Sequence, residues 1–372
     1  MRADAFQYEL PSELIAQHPA KERALARLMV LPPRGGAPAH RTVADFPDLL
    51  PPGALVVVND TRVIPARLRG RKVTTGGRAE VFLIRHVADR EIEVGGNGIR
   101  CAQVWRALGK AGKHVRFGTD IGVLRRGADE ESGAALMVRL LGRADEDGLW
   151  EVALWTPSGE PIDQALRECG RVPLPPYIKR DDTREDLERY QTVYARHDGA
   201  VAAPTAGFHI TNATLEGLEA RGCSIASITL HVGYGTFQPV VADDLDQHTM
   251  HAERYVVTQS AAAAVAQARA RKAPIVAVGT TTARALESAA DPERPGGVRA
   301  MTGETRLLIQ PGYTWRVVDG LLTNLHLPKS TLLALVCSFA GHQRLLDAYA
   351  EAVRQKYRFF SYGDGMLLWR DR

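Results

Sequence analysis

Cysteine is scarce: Cys101, Cys169, Cys223 and Cys337 are the only four in 372 residues, and all lie far apart. That spacing excludes a C-x-x-C redox motif and a zinc knuckle, and it offers no disulfide framework, so reduced thiols are expected. Long apolar runs are missing too. No stretch reaches the roughly 18 residues that a membrane span needs, and the first ten residues carry Asp4 and Glu9 where a signal peptide would be basic and then apolar. A cytoplasmic protein without a membrane partner is expected. Aromatics make up only 6% of the chain, and neither sign of charge dominates, with 47 Lys and Arg against 43 Asp and Glu for a net of +4. This balance excludes a strongly acidic or basic tail protein and leaves RNA binding open without establishing it. Arginine outnumbers lysine heavily; the bias suits phosphate recognition, and a GC-rich genome produces it equally well.

What is present is a globular composition, 45% hydrophobic and 24% charged, at a length that fits two domains or one large fold with an insertion. Strand-like apolar runs occur at residues 27–31 and 55–58. Over residues 63–155 the texture changes to short alternating runs, at 79–84, 104–108, 136–141 and 149–155, separated by Gly, Asp and basic residues. Beyond them, helical periodicity at 212–221, 259–272, 282–290 and 342–357 alternates with strand patterns at 225–230, 274–278 and 305–309. The fold class predicted is α/β: a larger mixed α/β domain, residues 1–62 and 156–372, interrupted by a smaller all-β, barrel-like domain at 63–155. Closure into a barrel is expected because it removes exposed strand edges.

Five polar clusters are embedded in apolar surroundings, where burial costs several kcal/mol unless the groups are partnered or used. Asn59-Asp60-Thr61-Arg62 follows the 55–58 run, at a strand end that suits ligand contact and also suits an ordinary turn. Thr205, Gly207 and His209 precede Thr211, a candidate helix N-cap; His209 can exchange a proton or sit as a satisfied core histidine. In Leu230-His231-Val232-Gly233-Tyr234-Gly235-Thr236-Phe237 two glycines permit close backbone approach, but G-x-G falls short of a dinucleotide fingerprint. His248, His251 and Glu253 lack the H-E-x-x-H spacing, so no metal is expected. Val278-Gly279-Thr280-Thr281-Thr282-Ala283-Arg284 offers a seat for a carboxylate or phosphate at a helix start, or plain threonine capping. Thr323-Asn324-Leu325-His326-Leu327-Pro328-Lys329-Ser330-Thr331 leads into the apolar run 332–339. Finally, Tyr357-Arg358-Phe359-Phe360-Ser361-Tyr362-Gly363-Asp364 interleaves basic and aromatic residues, as base stacking requires and as a packed strand also shows.

These residues resemble the S-adenosylmethionine:tRNA ribosyltransferase-isomerases of queuosine biosynthesis. The resemblance runs from Phe6-Gln7-Tyr8-Glu9-Leu10-Pro11 through Val58-Asn59-Asp60-Thr61-Arg62-Val63-Ile64-Pro65-Ala66-Arg67-Leu68 and Pro173-Leu174-Pro175-Pro176-Tyr177-Ile178 to the 358–364 segment, with 63–155 least distinctive. Phe208, Ile210 and Leu325 depart from the family pattern while staying apolar. The resemblance implies transfer and isomerisation of the ribosyl moiety of S-adenosylmethionine onto 7-aminomethyl-7-deazaguanine at the tRNA wobble position. Epoxyqueuosine forms, and adenine and methionine are released; S-adenosylmethionine is a consumed substrate and no cofactor is needed. The sulfonium acidifies the adjacent 5′ C–H; a base removes that proton, the ribose opens with loss of adenine, and the aminomethyl nitrogen attacks. On this reading His209 and His231 handle protons, and Asp60 and Glu253 orient them or contact the sulfonium. Thr280, Thr281 and Arg284 hold the methionine carboxylate. Asn324, His326, Lys329 and Ser330 line the pocket, and Asn59, Thr61, Thr205, Gly207, Gly233, Gly235, Thr236 and His251 complete the substrate-binding set. Arg62, Arg67, Lys356, Arg358 and Tyr362 face tRNA, and a monomer is expected. Two rivals remain: an S-adenosylmethionine-dependent RNA methyltransferase, disfavoured by the missing Gly-rich loop, and a non-catalytic RNA-binding protein, disfavoured by the histidine clusters.

Overall fold

The computed structural model describes residues 1–33, 35–95, 98–110, 116–144, 148–233, 235 and 244–370, without the side chains of Lys110 and Glu130. The chain opens with β1 (Arg27–Leu31), β2 (Ala39–Thr42), β3 (Leu55–Asn59) and the short β4 (Thr61–Val63). Six strands follow: β5 (Arg67–Lys72), β6 (Arg78–Glu93), β7 (Ile99–Lys110), β8 (Asp120–Val123), β9 (Leu136–Arg143) and β10 (Trp150–Trp155). Next come α1 (Ile162–Cys169), α2 (Asp186–Arg189), β11 (His197–Ala200), α3 (Asn212–Ala220), β12 (Ser224–Leu230) and β13 (Glu253–Val257). The remainder is α4 (Gln259–Ala270), β14 (Ile275–Val278), α5 (Thr280–Ser288), β15 (Met301–Thr305), β16 (Gly320–Asn324), α6 (Thr331–Ala340), α7 (His342–Arg354) and β17 (Gly365–Trp369).

Nine strands make one sheet in the order β15-β13-β12-β3-β14-β16-β17-β1-β2. Within it β12, β3, β14 and β16 run parallel, and β3, which reads Leu-Val-Val-Val-Asn, is buried at every position. A continuous apolar run is what a strand covered on both faces requires. Leu55 and Val57 pack on one face with α4 to α7, while Val56 and Val58 pack on the other with Phe46 and Leu218. Carboxyl ends of the four parallel strands, Asn59, Leu230, Val278 and Asn324, therefore share one edge of the sheet, where loops can meet a ligand. β17 is antiparallel to β16 and pairs Gly365 with Asn324, so residues 358–364 arrive at the same edge.

The fold class matches the expectation: β5 to β10 close into an antiparallel barrel in the order β10-β7-β6-β5-β8-β9. Its interior is filled by Leu68, Val81, Leu83, Ile121, Val138, Leu140, Val152 and Leu154, with Leu166 of α1 packed against them. Where the chain enters and leaves, Arg67 and Arg171 exchange two backbone hydrogen bonds of 3.2 and 2.8 Å. Several boundaries differ from the sequence reading: β6 and β7 run well past the expected 79–84 and 104–108, and two others have a local cause. The strand expected at 305–309 lies at Met301–Thr305, because β15 is the sheet edge, paired only with β13, and its solvent-facing residues carry no apolar period; the run 307–309 packs as a loop instead. α5 starts at Thr280, two residues early, because Gly279 takes φ 92° at its N-cap. Among the described residues no helix is long and apolar enough to cross a membrane.

Candidate functional site

At the shared carboxyl edge lies a cleft whose space, open solvent included, is about 560 Å³. Thr205, Thr280, Thr281, Asn324 and His326 line it, together with Tyr177, Val232, Phe360 and Ser361. Each arrives on a different element: Asn324 ends β16, Thr280 and Thr281 begin α5, and Thr205 starts a 3-10 turn that ends at His209. No side chain caps α5, so its positive N-terminal end and two threonine hydroxyls face the cavity.

His209 is 3% exposed. Its Nε2 accepts from Asn324 Nδ2 at 3.3 Å, and the same amide donates to the Phe360 carbonyl at 3.1 Å while Asn324 Oδ1 accepts from Thr205 Oγ1 at 3.2 Å. The amide orientation is thereby fixed, and it leaves His209 neutral with Nε2 as acceptor. Burial holds its pKa at about 4, Asp364 opposing and Arg358 and Arg23 adding to the shift. His326 is likewise buried; its Nε2 shares a 2.8 Å hydrogen bond with Thr323 Oγ1, and burial lowers its pKa to about 3.

His231 forms a second group. Its Nδ1 meets Thr61 Oγ1 at 2.8 Å, and burial, followed by Arg254 and His197, lowers its pKa. Gly199 stands against its ring: a Cβ there would approach the imidazole to 3.0 Å, at a φ of +141°. Asp60 lies close by, accepting from Thr229 Oγ1 at 2.6 Å, with His197 Nε2 3.7 Å from its other oxygen. Val232, next in sequence to His231, lines the main cavity, whereas His231, Thr61 and Asp60 do not.

Several expected contacts are taken up internally. Asn59 is fully buried and bridges three elements: Nδ2 donates to Leu230 O and Thr281 Oγ1, and Oδ1 accepts from the Leu230 and Thr61 amides. Arg284 does not line the cavity; it is ion-paired with Glu253 and donates to Leu307 O, although one buried nitrogen, Nη2, has no acceptor. Glu253 also accepts from the Gly233 amide, so it belongs to that pair and not to a His248–His251 ligand set; among the described residues no three potential ligands gather. Ser330 caps α6 through Leu333 N, and Lys329 is exposed with φ 53° outside the cavity. Gly207 and Gly235 are packing glycines, where a Cβ would meet Tyr194 Oη and the His251 ring at 2.3 Å. Thr236 lies outside the described residues.

Of the residues expected to face tRNA, Arg67 makes a bidentate pair with Glu80 and Arg62 donates to Ala195 O. Lys356 is exposed. Tyr362 is a core residue, 3% exposed, whose hydroxyl donates to Asp186; no base can stack on it. Instead Phe360, at φ 73°, and Tyr177 present rings 4.1 Å apart at the cavity, with Tyr177 Oη hydrogen-bonded to Ser361 Oγ at 2.5 Å. Neither ring had been singled out as a ligand contact; both lie in quoted motifs, and only their meeting across the fold marks them.

The queuosine biosynthesis protein family model matches residues 3–368. S-adenosylmethionine:tRNA ribosyltransferase-isomerases are similar over nearly the whole length: 52% identity to the Sorangium cellulosum protein over 99% of this chain and 98% of that one, and 50% to an Anaeromyxobacter protein over 100% and 99%. The crystal structure of an S-adenosylmethionine tRNA ribosyltransferase from Thermotoga maritima superposes with a TM-score of 0.52 at 34% identity, covering 98% of this chain and 99% of that chain.

Proposed function

This chain belongs to the queuosine biosynthesis protein family, and from that membership we propose that its sheet-edge cavity carries out S-adenosylmethionine:tRNA ribosyltransferase-isomerase chemistry on a 7-aminomethyl-7-deazaguanine at the tRNA wobble position. The enzyme is a transferase and isomerase, acting as a cytoplasmic monomer. One observation carries the reading: the neutral His326, a bare helix N-terminus with two threonine hydroxyls, and two aromatic rings converge on a single cavity at the ends of four parallel strands, with His209 behind Asn324 on its wall.

Each part answers a need of the reaction. The α5 terminus with Thr280 and Thr281 takes the methionine carboxylate, replacing Arg284, whose charge is satisfied by Glu253. Tyr177 and Phe360, whose rings meet edge to face at 62°, offer aromatic surface to the adenine. His231, neutral near pH 7 and oriented by Thr61, is the candidate for removing the 5′ proton. His209, held through Asn324, faces the other side and serves the departing adenine or the attacking amine. Loss of the proton opens the ribose and expels adenine, the aminomethyl nitrogen forms the new C–N bond, and ring closure to the epoxide expels methionine.

Incubation with precursor-bearing tRNA and S-adenosylmethionine is expected to release adenine and methionine in equal amounts. S-adenosylhomocysteine in their place would mean methyl transfer, and no release would leave only RNA binding. His231→Ala is expected to cut adenine release by about 100-fold or more, the usual contribution of positioned proton transfer.

A further inference from the structure

On the other side of the His209–Asn324 pair lies a second, smaller cleft, about 310 Å³ with open solvent included, lined by Arg23, Arg189 and Arg358 with Phe208, His209 and Ser361. Ser361 also lines the main cavity, so the two spaces adjoin. Among the described residues no carboxylate lines the smaller one. Arg23 Nη2 donates only to the carbonyls of Arg189 and Gln191, at 3.2 and 2.9 Å, and its Nη1 is buried without any acceptor. Arg189 donates to the carbonyls of Ala20 and Lys21, and its Nε is also buried and unmatched; Glu185, 3.7 Å away, is 71% exposed. Arg358 is tethered to His18 O at 3.3 Å, and its nearest carboxylate, Asp364 at 3.9 Å, is already engaged by Arg27 and by the backbone amides of Arg27 and Arg358.

Three guanidinium groups whose hydrogen bonds all go to carbonyls, two of them with only a long ion pair of 3.7 or 3.9 Å, form an unbalanced arrangement. A buried donor without an acceptor destabilises the fold, and like charges repel more strongly away from water. Burial and Arg189 together hold the Arg23 pKa below its ordinary value. An anion seated among the three groups offsets their mutual repulsion. Arginine forks favour phosphate, whose oxygens accept paired hydrogen bonds, and the Phe208 ring, 5.7 Å beneath Arg23, keeps one fork in place. Arg358 is 35% exposed, so a polymer can enter from solvent, whereas the methionine carboxylate already has the α5 terminus in the inner cavity.

We propose that Arg23, Arg189 and Arg358 seat a phosphodiester of the RNA strand that carries the target base, holding the backbone beside the nucleotide that reacts in the adjoining cavity. This rests on the tRNA reading above. The test is precursor-tRNA binding by the full chain at several salt concentrations, with steady-state kinetics, for Arg23→Gln, Arg189→Gln and Arg358→Gln. Each variant is expected to lower the slope of log K against log salt, by at most about 0.7–0.9 because the three share one phosphate, and to raise KM for tRNA about fivefold while KM for S-adenosylmethionine stays put. Arg358→Gln, tethered through one carbonyl, keeps the test answerable if Arg23→Gln does not fold. Unchanged slopes overturn the proposal, as does a rise confined to KM for S-adenosylmethionine, which would assign the cavity to the methionine carboxylate. Wild-type protein that binds tRNA with the full slope, which the variants lose, yet releases no adenine would sink the reaction and leave the phosphate seat standing.

Discussion

Burying an imidazole in its neutral form ties stability to pH with a definite sign. His209 and His326 are 3% and 8% exposed, and their folded pKa values, about 4 and about 3, lie below the ordinary 6.5. Between those limits the unfolded chain binds protons that the folded one refuses, so stability is complete above about pH 6.5 and falls as the pH drops toward 4. With about 1.4 kcal/mol per pKa unit, each histidine removes on the order of 3 kcal/mol at the acid end. Thermal melts from pH 7.5 to 4.5 are expected to show the midpoint falling steadily below 6.5, and His326→Gln is expected to flatten the fall. A midpoint that stayed level down to pH 4.5 would mean that these rings are already solvated or charged.

Residue identity alone could not separate such groups from bystanders. Asn59, Arg284, Glu253, Ser330 and Tyr362 all look like site residues in the sequence because they are polar groups in apolar settings. Protein partners satisfy each of them almost fully. Burial with a partner and burial with a ligand leave the same mark on a sequence. Conversely, Tyr177 and Phe360 were legible only as members of motifs, since the contact that makes them a wall joins residues 183 positions apart (360 minus 177).

At the scale of elements, the sequence exposed what is periodic. β1 falls at Arg27–Leu31 as read, and α3, α4 and α7 match to within a few residues at their ends, because their apolar faces are continuous. β15 was displaced because an edge strand with exposed side chains has no apolar period to read. Contacts between elements were invisible, and the Arg284–Glu253 pair is the clearest case: it ties α5 to β13, with the side chains 6% and 5% exposed. Removing one partner strands the other charge. Arg284→Met is expected to cost about 3–5 kcal/mol in urea unfolding, whereas Arg284→Met with Glu253→Gln is expected to recover a large part of that loss. Costs that simply add would show that the two groups do not act as a unit.

At the scale of the whole molecule, the barrel has its own core, joined through a neck of chain to the clusters that cover the two faces of the large sheet. The cluster that fills the barrel takes only Val201 from outside residues 64–172, and the chain enters and leaves through the paired backbones of Arg67 and Arg171. An insertion whose ends touch costs its host little entropy, since the gap it must close is already bridged. The same geometry means that the barrel needs little from its host. Residues 64–172, about 110 in all and near the commonest domain size, are therefore expected to fold alone, with a β-type far-UV spectrum and a single cooperative melt. The isolated piece is expected to release no adenine, because apart from Tyr177 at position 177 and residues beyond it, no cavity-lining side chain exists. A non-cooperative melt would show that the sheet supports the barrel. The neck would then be a true structural joint, and the position of the barrel beside the cavity would have to be understood as part of a single folding unit.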